Sequence, residues 1–509
     1  MIGVRKFFRR ENQLIEASGL HPISRENLFE KKLPIAWQIG IVGFSLFAFL
    51  IGFVTTNVLW FAPAAAIAIW MASRLAINEF YSLLLYIAMV FIIILQGDRK
   101  SASLIDFGTG ATMTGLICWW FVRSRVFAHE AFAVSWEHLL FVLFFLWSLL
   151  IGLGGMIWFE NTPNDWFREA LIQLPMVLIP FLFVRSITPD SSKEKVFLYF
   201  IAATWIFIGS VNIISFRNNV VKAVYFYQTG RSMIDPSSTV LLLFATIAFA
   251  SIEPVRSRLK WYVLPTGLAV ICIFLSGYRT IWLTCIVVAG VLWFLNSPVE
   301  RKQFWAYVRR FIAAVLVIVT YLFFKYQLVH LMVMGIVERF TSSAKVGTDP
   351  SLVNRYIEWR TIIQWIKDSP FVGYGYGGRF WNFDWLRGLS YFTGFTHNSV
   401  LYILFKTGII GLSLILIATG GTMYRAFRSA RSPYASPFVR ALMRVAFCYM
   451  LFMIPAGLTL NSFAGRESLM WQAICWSFVW VYDVKLQGEA IARKHEARDI
   501  GVVRLSGAQ

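Results

Sequence analysis

The chain has 509 residues, of which 58% are apolar and only 15% charged, with a net charge of +20. Soluble domains run near 45–50% apolar and 25% charged, so an ordinary soluble protein is excluded. The basic residues cluster in short loops beside apolar stretches, where they act as topology signals and contacts for anionic lipid headgroups; this argues against nucleic acid as a partner.

Residues 1–34 contain Arg5, Lys6, Arg9, Arg10, Lys31 and Lys32 but no h-region or small-residue cleavage site. They read as a cytoplasmic segment, with the first span as insertion signal. About fourteen stretches of spanning length follow, over 35–54, 56–72, 79–95, 104–122, 137–157, 169–185, 196–215, 237–253, 261–276, 281–296, 311–329, 399–419, 441–458 and 469–483. Cys118, Cys272, Cys285, Cys448 and Cys475 all fall in apolar stretches without metal-ligand spacing and read as small buried hydrophobes. The connections holding Arg123 and Arg125, Arg256 to Lys260, Arg301 to Arg310, and Arg425 through Arg440 are basic, as is the tail 484–509. An even number of spans with both ends in the cytoplasm puts all of these inside. The expected fold is all-α: spans 1–11 over 35–329, a long outward loop over 330–398 with short amphipathic helices, and three further spans over 399–483.

On the outer face the same bias should deplete cations. Yet 330–398 carries Arg339, Lys345, Arg355, Arg360, Lys367, Arg379 and Arg387, and the loop 216–236 adds Arg217, Lys222 and Arg231. This excess reads as an anion site; the plainer alternative is a solvated loop balanced by Glu338, Asp349, Glu358, Asp368 and Asp384. Leu352, Tyr356, Trp359, Ile363 and Ile366 recur at helical spacing, which predicts a helix along the membrane surface with Arg355 and Arg360 on its two flanks. Asp368-Ser369-Pro370 ends that helix. The run Gly373-Tyr374-Gly375-Tyr376-Gly377-Gly378 lacks the lysine and spacing of a P-loop, so a turn is a better reading than a phosphate cradle. Phe380, Trp381, Phe383, Trp385, Tyr391 and Phe392 suit either stacking on sugar rings or a position at the headgroup level.

Thr396-His397-Asn398-Ser399 opens the next apolar span. A histidine at such a boundary titrates near neutral pH. Arg279 stands alone in the turn Gly277-Tyr278-Arg279-Thr280 between two spans. An ionisable residue at membrane depth is costly and usually faces a cavity or a partner, snorkelling to the headgroups being the alternative. A guanidinium can hold a phosphate through two parallel hydrogen bonds. Lys406 lies nine residues past His397, about 13 Å deep at ~1.5 Å per residue, and either adds a cation or pairs with a carboxylate.

The strings Ser-Gly-Tyr-Arg-Thr, Asn-Arg-Tyr-(x)2-Trp-(x)5-Trp-Ile-Lys-Asp-Ser-Pro-(x)2-Gly-Tyr-Gly and Thr-His-Asn-Ser followed by Thr-Gly-Ile-Ile-Gly span roughly residues 260–420. In this order they resemble the O-antigen ligase/polymerase family. The resemblance implies a GT-C-like membrane glycosyltransferase, independent of metal and cofactor, on the outer face of the bacterial inner membrane. Its donor would be an undecaprenyl-diphosphate-linked glycan. Its acceptor would be another lipid-linked repeat (a polymerase) or lipid A-core (a ligase), with other polysaccharide-export proteins as candidate partners. By matched position Arg279 and Arg355 would bind the diphosphate, with Arg360 as a further candidate. His397 would act as base for the acceptor hydroxyl, positioned by Asn398, with Lys406, Trp359 and Tyr376 in support. Asn461, Arg466 and Glu467 would border the pocket. Lys406 departs from the acidic or neutral residue expected before Gly-Ile-Ile-Gly. A flippase for the same lipids is the alternative of another class, but it would spread charges through several spans and show internal symmetry.

Overall fold

The computed structural model describes residues 135–180, 191–222, 236–252, 263–275, 279–325, 350–384, 388–432, 435–459 and 468–483, with isolated positions besides. The chain divides into compact units 1–74 and 75–509, and every described residue lies in the second. The spans expected over 35–54, 56–72 and 104–122, and nearly all of 79–95, fall outside the described residues.

Among the described residues, seven helices precede the long loop: α1 (Trp136–Trp158), α2 (Pro163–Leu178), α3 (Ser191–Lys222), α4 (Pro236–Ser251), α5 (Val263–Leu275), α6 (Arg279–Leu295) and α7 (Pro298–Lys325). The loop holds α8 (Pro350–Asp368) and strands β1 (Phe380–Asp384) and β2 (Leu389–Thr393). After it come α9 (Ser399–Ala430), α10 (Pro437–Gly457) and α11 over 468–483. Among the described residues, α1, α9 and α10 are long and apolar enough to cross a membrane, and shorter apolar stretches lie at Tyr199–Ile214, Thr239–Ser251 and Thr280–Leu295. These helices mark an integral membrane protein. The described residues are mostly helical, as expected, and the long loop adds an antiparallel hairpin that was not expected. Phe-Trp-Asn-Phe-Asp alternates inward and outward residues at the period of a strand. One correction concerns the loop expected over 216–236: α3 continues through Lys222, so Arg217 and Lys222 belong to a helix, and Arg231 lies outside the described residues.

α1 shows how these segments read as spans. Trp136, Leu139, Leu143, Leu146, Leu150, Leu153 and Ile157 form an exposed apolar ridge, while Phe141, Phe144, Ser148, Gly152 and Gly155 face inward. A helix apolar all round suits a bilayer on one side and a core on the other. Aromatic pairs run through the core: Trp205 stacks on Trp471 at 5.9 Å, and Phe141 meets Trp476 edge-on at 5.8 Å.

Charges inside the bundle are paired, as burial demands. Arg444 on α10 reaches Glu300 at 3.0 Å and the Asn296 side-chain oxygen at 2.8 Å. Glu300 also accepts the backbone N–H of Ser297 at 2.8 Å, which completes a capping box at the start of α7. Arg425 was expected to be a loop cation that sets topology. It sits instead on α9, paired with Glu137 at 2.5 Å and Asp483 at 2.7 Å. Two acids buried at the ends of neighbouring helices require that partner.

The feature that places the loop is a break in α9. Gly408 has φ 65 and ψ −170 inside the helix. A break in an apolar span leaves carbonyls and amides that lipid cannot satisfy. Here the protein supplies the partners. The Phe405 carbonyl accepts from the Tyr374 N–H at 2.8 Å, and that of Lys406 from the Gly375 N–H at 2.7 Å. The Thr407 carbonyl accepts from the Trp147 indole at 3.0 Å. Beyond the break, the Ile409 N–H donates to Pro370 O at 2.9 Å and the Ile410 N–H to Phe371 O at 3.4 Å. Ile362, Ile366, Tyr374, Phe380 and Phe405 then close a small apolar cluster over the junction.

Gly375 tests this docking. Its φ is +75, and a Cβ there would lie 2.4 Å from backbone atoms of Gly152. Gly375→Ala should therefore lose about 2–4 kcal/mol through overpacking and left-handed strain, read as a lower melting temperature in detergent. Gly420→Ala, where nothing lies within 4 Å of the new methyl, should melt like the parent.

Candidate active site

α8 carries the first half of the site. Its inward face is Glu358, Ile362 and Ile366, whereas Leu352, Tyr356 and Ile363 of the expected stripe are exposed. The helix is therefore rotated from the phase that its apolar residues alone suggest, because a carboxylate claims part of the buried face. Glu358 meets the segment entering α9. Its Oε1 accepts the backbone N–H of His397 at 2.6 Å, and its Oε2 lies 2.7 Å from His397 Nδ1. Thr396 adds a side-chain hydrogen bond to the same carboxylate.

Burial pushes the Glu358 carboxyl up, but the hydrogen bonds and charge of His397 and the Thr396 hydroxyl outweigh it, and its pKa lies below the ordinary carboxylate range. An ionised Glu358 is an acceptor only, so Nδ1 donates to it and Nε2 is the ring nitrogen not engaged by the carboxylate. The two partners differ in exposure. The glutamate side chain is 4% exposed and the imidazole 40%, so Nε2 is available to a ligand while Nδ1 is anchored. Phe395 stands edge-on to the imidazole, with ring centroids 5.1 Å apart. A base held by a buried orienting group is the arrangement that proton transfer requires.

The remaining candidates distribute around this pair. Arg355 is half-buried on α8, about 60° around the helix from Glu358 at ~100° per residue. Arg360 is exposed and about 160° away on the far side. Trp359 follows Glu358 and is half-buried. Asn398 caps α9, its side-chain oxygen accepting from the N–H groups of Val400 at 2.9 Å and Leu401 at 3.0 Å. Arg279 is the first residue of α6. Its neighbour Thr280 accepts a hydrogen bond from the Thr459 hydroxyl at 3.1 Å, and Ser462 meets Ser399 at 2.9 Å. Through these contacts the start of α6, the segment after α10 and the start of α9 share one end of the bundle. Asn461 is buried there, and Arg466 and Glu467 lie outside the described residues.

Lys406 is 1% exposed and pairs with Glu169 of α2 at 2.7 Å, also donating to Gly378 O at 2.7 Å. Glu169 accepts the Gly377 N–H at 2.9 Å, and Arg379 pairs with Asp165 on the same helix. Tyr376 is buried and donates to Gln173. The amides of Tyr374, Gly375 and Gly377 are thus engaged within the protein, and the glycine run is a docking turn.

Among the described residues no group of His, Cys, Asp and Glu could hold a metal ion. The described bundle defines a membrane protein with an imidazole–carboxylate pair at one end. Residues 264–416 match the family model described as O-antigen ligase, a stretch running from α5 to the middle of α9. Over that stretch the chain is similar to the O-antigen ligase family. No curated protein matches it.

Sequence reading missed Glu358, counting it among loop carboxylates. The available signal was its place on α8, in line with Ile362 and Ile366 rather than with the polar face. Because its folded pKa is depressed, Glu358 contributes stability that is present above its unfolded value and lost as pH falls through the folded one. The melting-temperature gap between the parent and Glu358→Gln should therefore be widest above about pH 5 and narrow as the pH falls below the unfolded value of about 4. Thermal melts in detergent across that range check it.

Proposed function

We propose that the chain is a membrane glycosyltransferase that moves a glycan from an undecaprenyl-diphosphate donor to a hydroxyl acceptor, on the outer face of the inner membrane. The observation that carries this reading is the buried Glu358 holding the half-exposed imidazole of His397, inside a stretch that matches an O-antigen ligase model.

In this reaction the acceptor hydroxyl attacks the anomeric carbon and the bond from that carbon to the diphosphate oxygen breaks. His397 Nε2 takes the hydroxyl proton, and Glu358 stabilises the imidazolium that forms. The electron pair of the breaking bond leaves on the diphosphate, where negative charge grows. Arg279 and Arg355 are assigned to that charge, because fixed guanidinium groups in a water-poor site stabilise it without reorganising. Arg360, on the far side of α8, is the weaker assignment. Positive charge from arginine makes metal-free transfer the expected mode.

We read the acceptor as a second lipid-linked repeat, which makes the product a longer polysaccharide. Transfer to lipid A-core is the second reading, favoured by the description of the matched model. A carrier for the same lipids is the alternative of another class; titratable pairs also serve carriers as proton relays, but a carrier would form no glycosidic bond.

With purified donor and acceptor, His397→Ala should abolish turnover and keep donor binding, and Glu358→Gln should lower kcat by roughly a hundredfold. Arg279→Ala should remove transfer at normal protein level; near-normal transfer would exclude the diphosphate assignment. EDTA should leave the rate unchanged. A glycolipid profile of a deletion strain separates the acceptors: single-repeat capped lipid marks a lost polymerase, and long lipid-linked chains with bare core mark a lost ligase.

A further inference from the structure

The hairpin leading into His397 carries a surface that the proton-transfer pair does not use. Phe380 and Asn382 turn inward, Phe380 onto Phe405 at 5.3 Å and Asn382 onto the Tyr391 hydroxyl at 3.1 Å. Trp381 and Phe383 turn outward and are exposed. The register sets Trp381 opposite the exposed Phe392, with their rings 5.4 Å apart. Two residues past β2, the exposed Phe395 reaches the imidazole. Aromatic rings thus occupy the hairpin and the segment joining it to the base.

The backing of this face is held from inside the bundle. The buried Lys406 ammonium binds Gly378 O, just before β1. Gly394 follows β2, and a Cβ there would lie 3.2 Å from the same nitrogen. One cation, itself paired with Glu169, therefore sits against both feet of the hairpin. A face fixed in this way can present a ligand in one orientation.

We propose that Trp381, Phe392 and Phe395 form the acceptor-glycan subsite, laying the apolar face of a pyranose ring against aromatic rings and bringing its hydroxyl to His397. The inference rests on the glycosyl-transfer reading above. A sugar fits better than lipid because the aromatic row ends at the imidazole. Ser390, opposite Phe383 in the register and so on the same outward face, adds a hydroxyl beside these rings.

The probe is the lipid-free oligosaccharide repeat released by mild acid from the producing cell's own surface polysaccharide. Binding is read by saturation-transfer NMR on the full-length protein in detergent. Gly420→Ala, where the added methyl meets nothing within 4 Å, should bind it like the parent, and Trp381→Ala and Phe392→Ala should weaken binding roughly tenfold. Trp381→Tyr, which keeps a ring, should retain most of it. In transfer assays the Trp381 and Phe392 alanine variants should raise the acceptor KM about tenfold with the donor KM unchanged. Unaltered oligosaccharide binding and acceptor KM in both alanine variants would overturn the proposal. So would a defect confined to reconstitution into phosphatidylethanolamine–phosphatidylglycerol vesicles, which would assign the face to the membrane. Normal oligosaccharide binding without any transfer by the parent would uphold the subsite and defeat the glycosyl-transfer reading.

Discussion

The organisation of the described site depends on one constraint, the unpaired backbone of α9 around Gly408. An apolar span offers no water to carbonyls and amides released by a break, so each must find a protein partner. Three come from α1 and the glycine run, through Trp147, Tyr374 and Gly375, and two from Pro370 and Phe371. Satisfying those groups docks the segment after α8 into the bundle. Once that segment is docked, α8 lies close enough for Glu358 to reach His397, two residues ahead of α9. The break and the imidazole–carboxylate pair are thus linked by geometry, since the turn that caps one positions the helix that builds the other.

The pattern of charges follows the same logic. Lys406, Arg444 and Glu358 are deeply buried, and each is matched by an opposite charge or by hydrogen bonds. A buried pair adds little net stability, because desolvation opposes the attraction, but removing one partner is strongly destabilising. Such pairs therefore specify how helices fit more than they hold the protein folded. Lys406 connects α9 to α2 and to the hairpin, Arg444 connects α10 to α7, and Arg425 connects α9 to the ends of α1 and α11. His397 is different: its carboxylate partner is buried while its ring is half exposed. This asymmetry anchors one side of the ring and leaves the rest of it open.

Much of the helical frame was legible in the sequence, because an apolar run of spanning length has few alternatives. The span expected over 137–157 appears as Trp136–Trp158, and α8 stops at Asp368, where Asp-Ser-Pro forbids continuation. What stayed hidden depended on contacts between distant residues. Glu358 and His397 are 39 positions apart, and no local pattern separates a carboxylate that orients a ring from one that balances a loop. The phase of α8 was misjudged for the same reason, since Leu352, Tyr356 and Ile363 look like an inward stripe until Glu358 is known to point inward. The hairpin escaped notice because five aromatic-rich residues between glycines also describe an interfacial loop. Lys406 was recognised as anomalous, but its partner Glu169 lies 237 positions earlier on another helix.

These contacts also explain why a lysine fits before the Gly-Ile-Ile-Gly element. An acidic residue at 406 would face Glu169 and the Gly378 carbonyl, placing like charge and an acceptor together in a buried space. A neutral one would leave Glu169 without its cation and the foot of β1 without its donor. Lysine satisfies both, and its ammonium occupies the room that Gly394 leaves open. The same substitution that looks like an extra charge for the substrate is, in this fold, already committed to the hairpin. In the proposed reaction, Lys406 is therefore not among the cations assigned to the diphosphate, which stay with the arginines at the start of α6 and on the flank of Glu358.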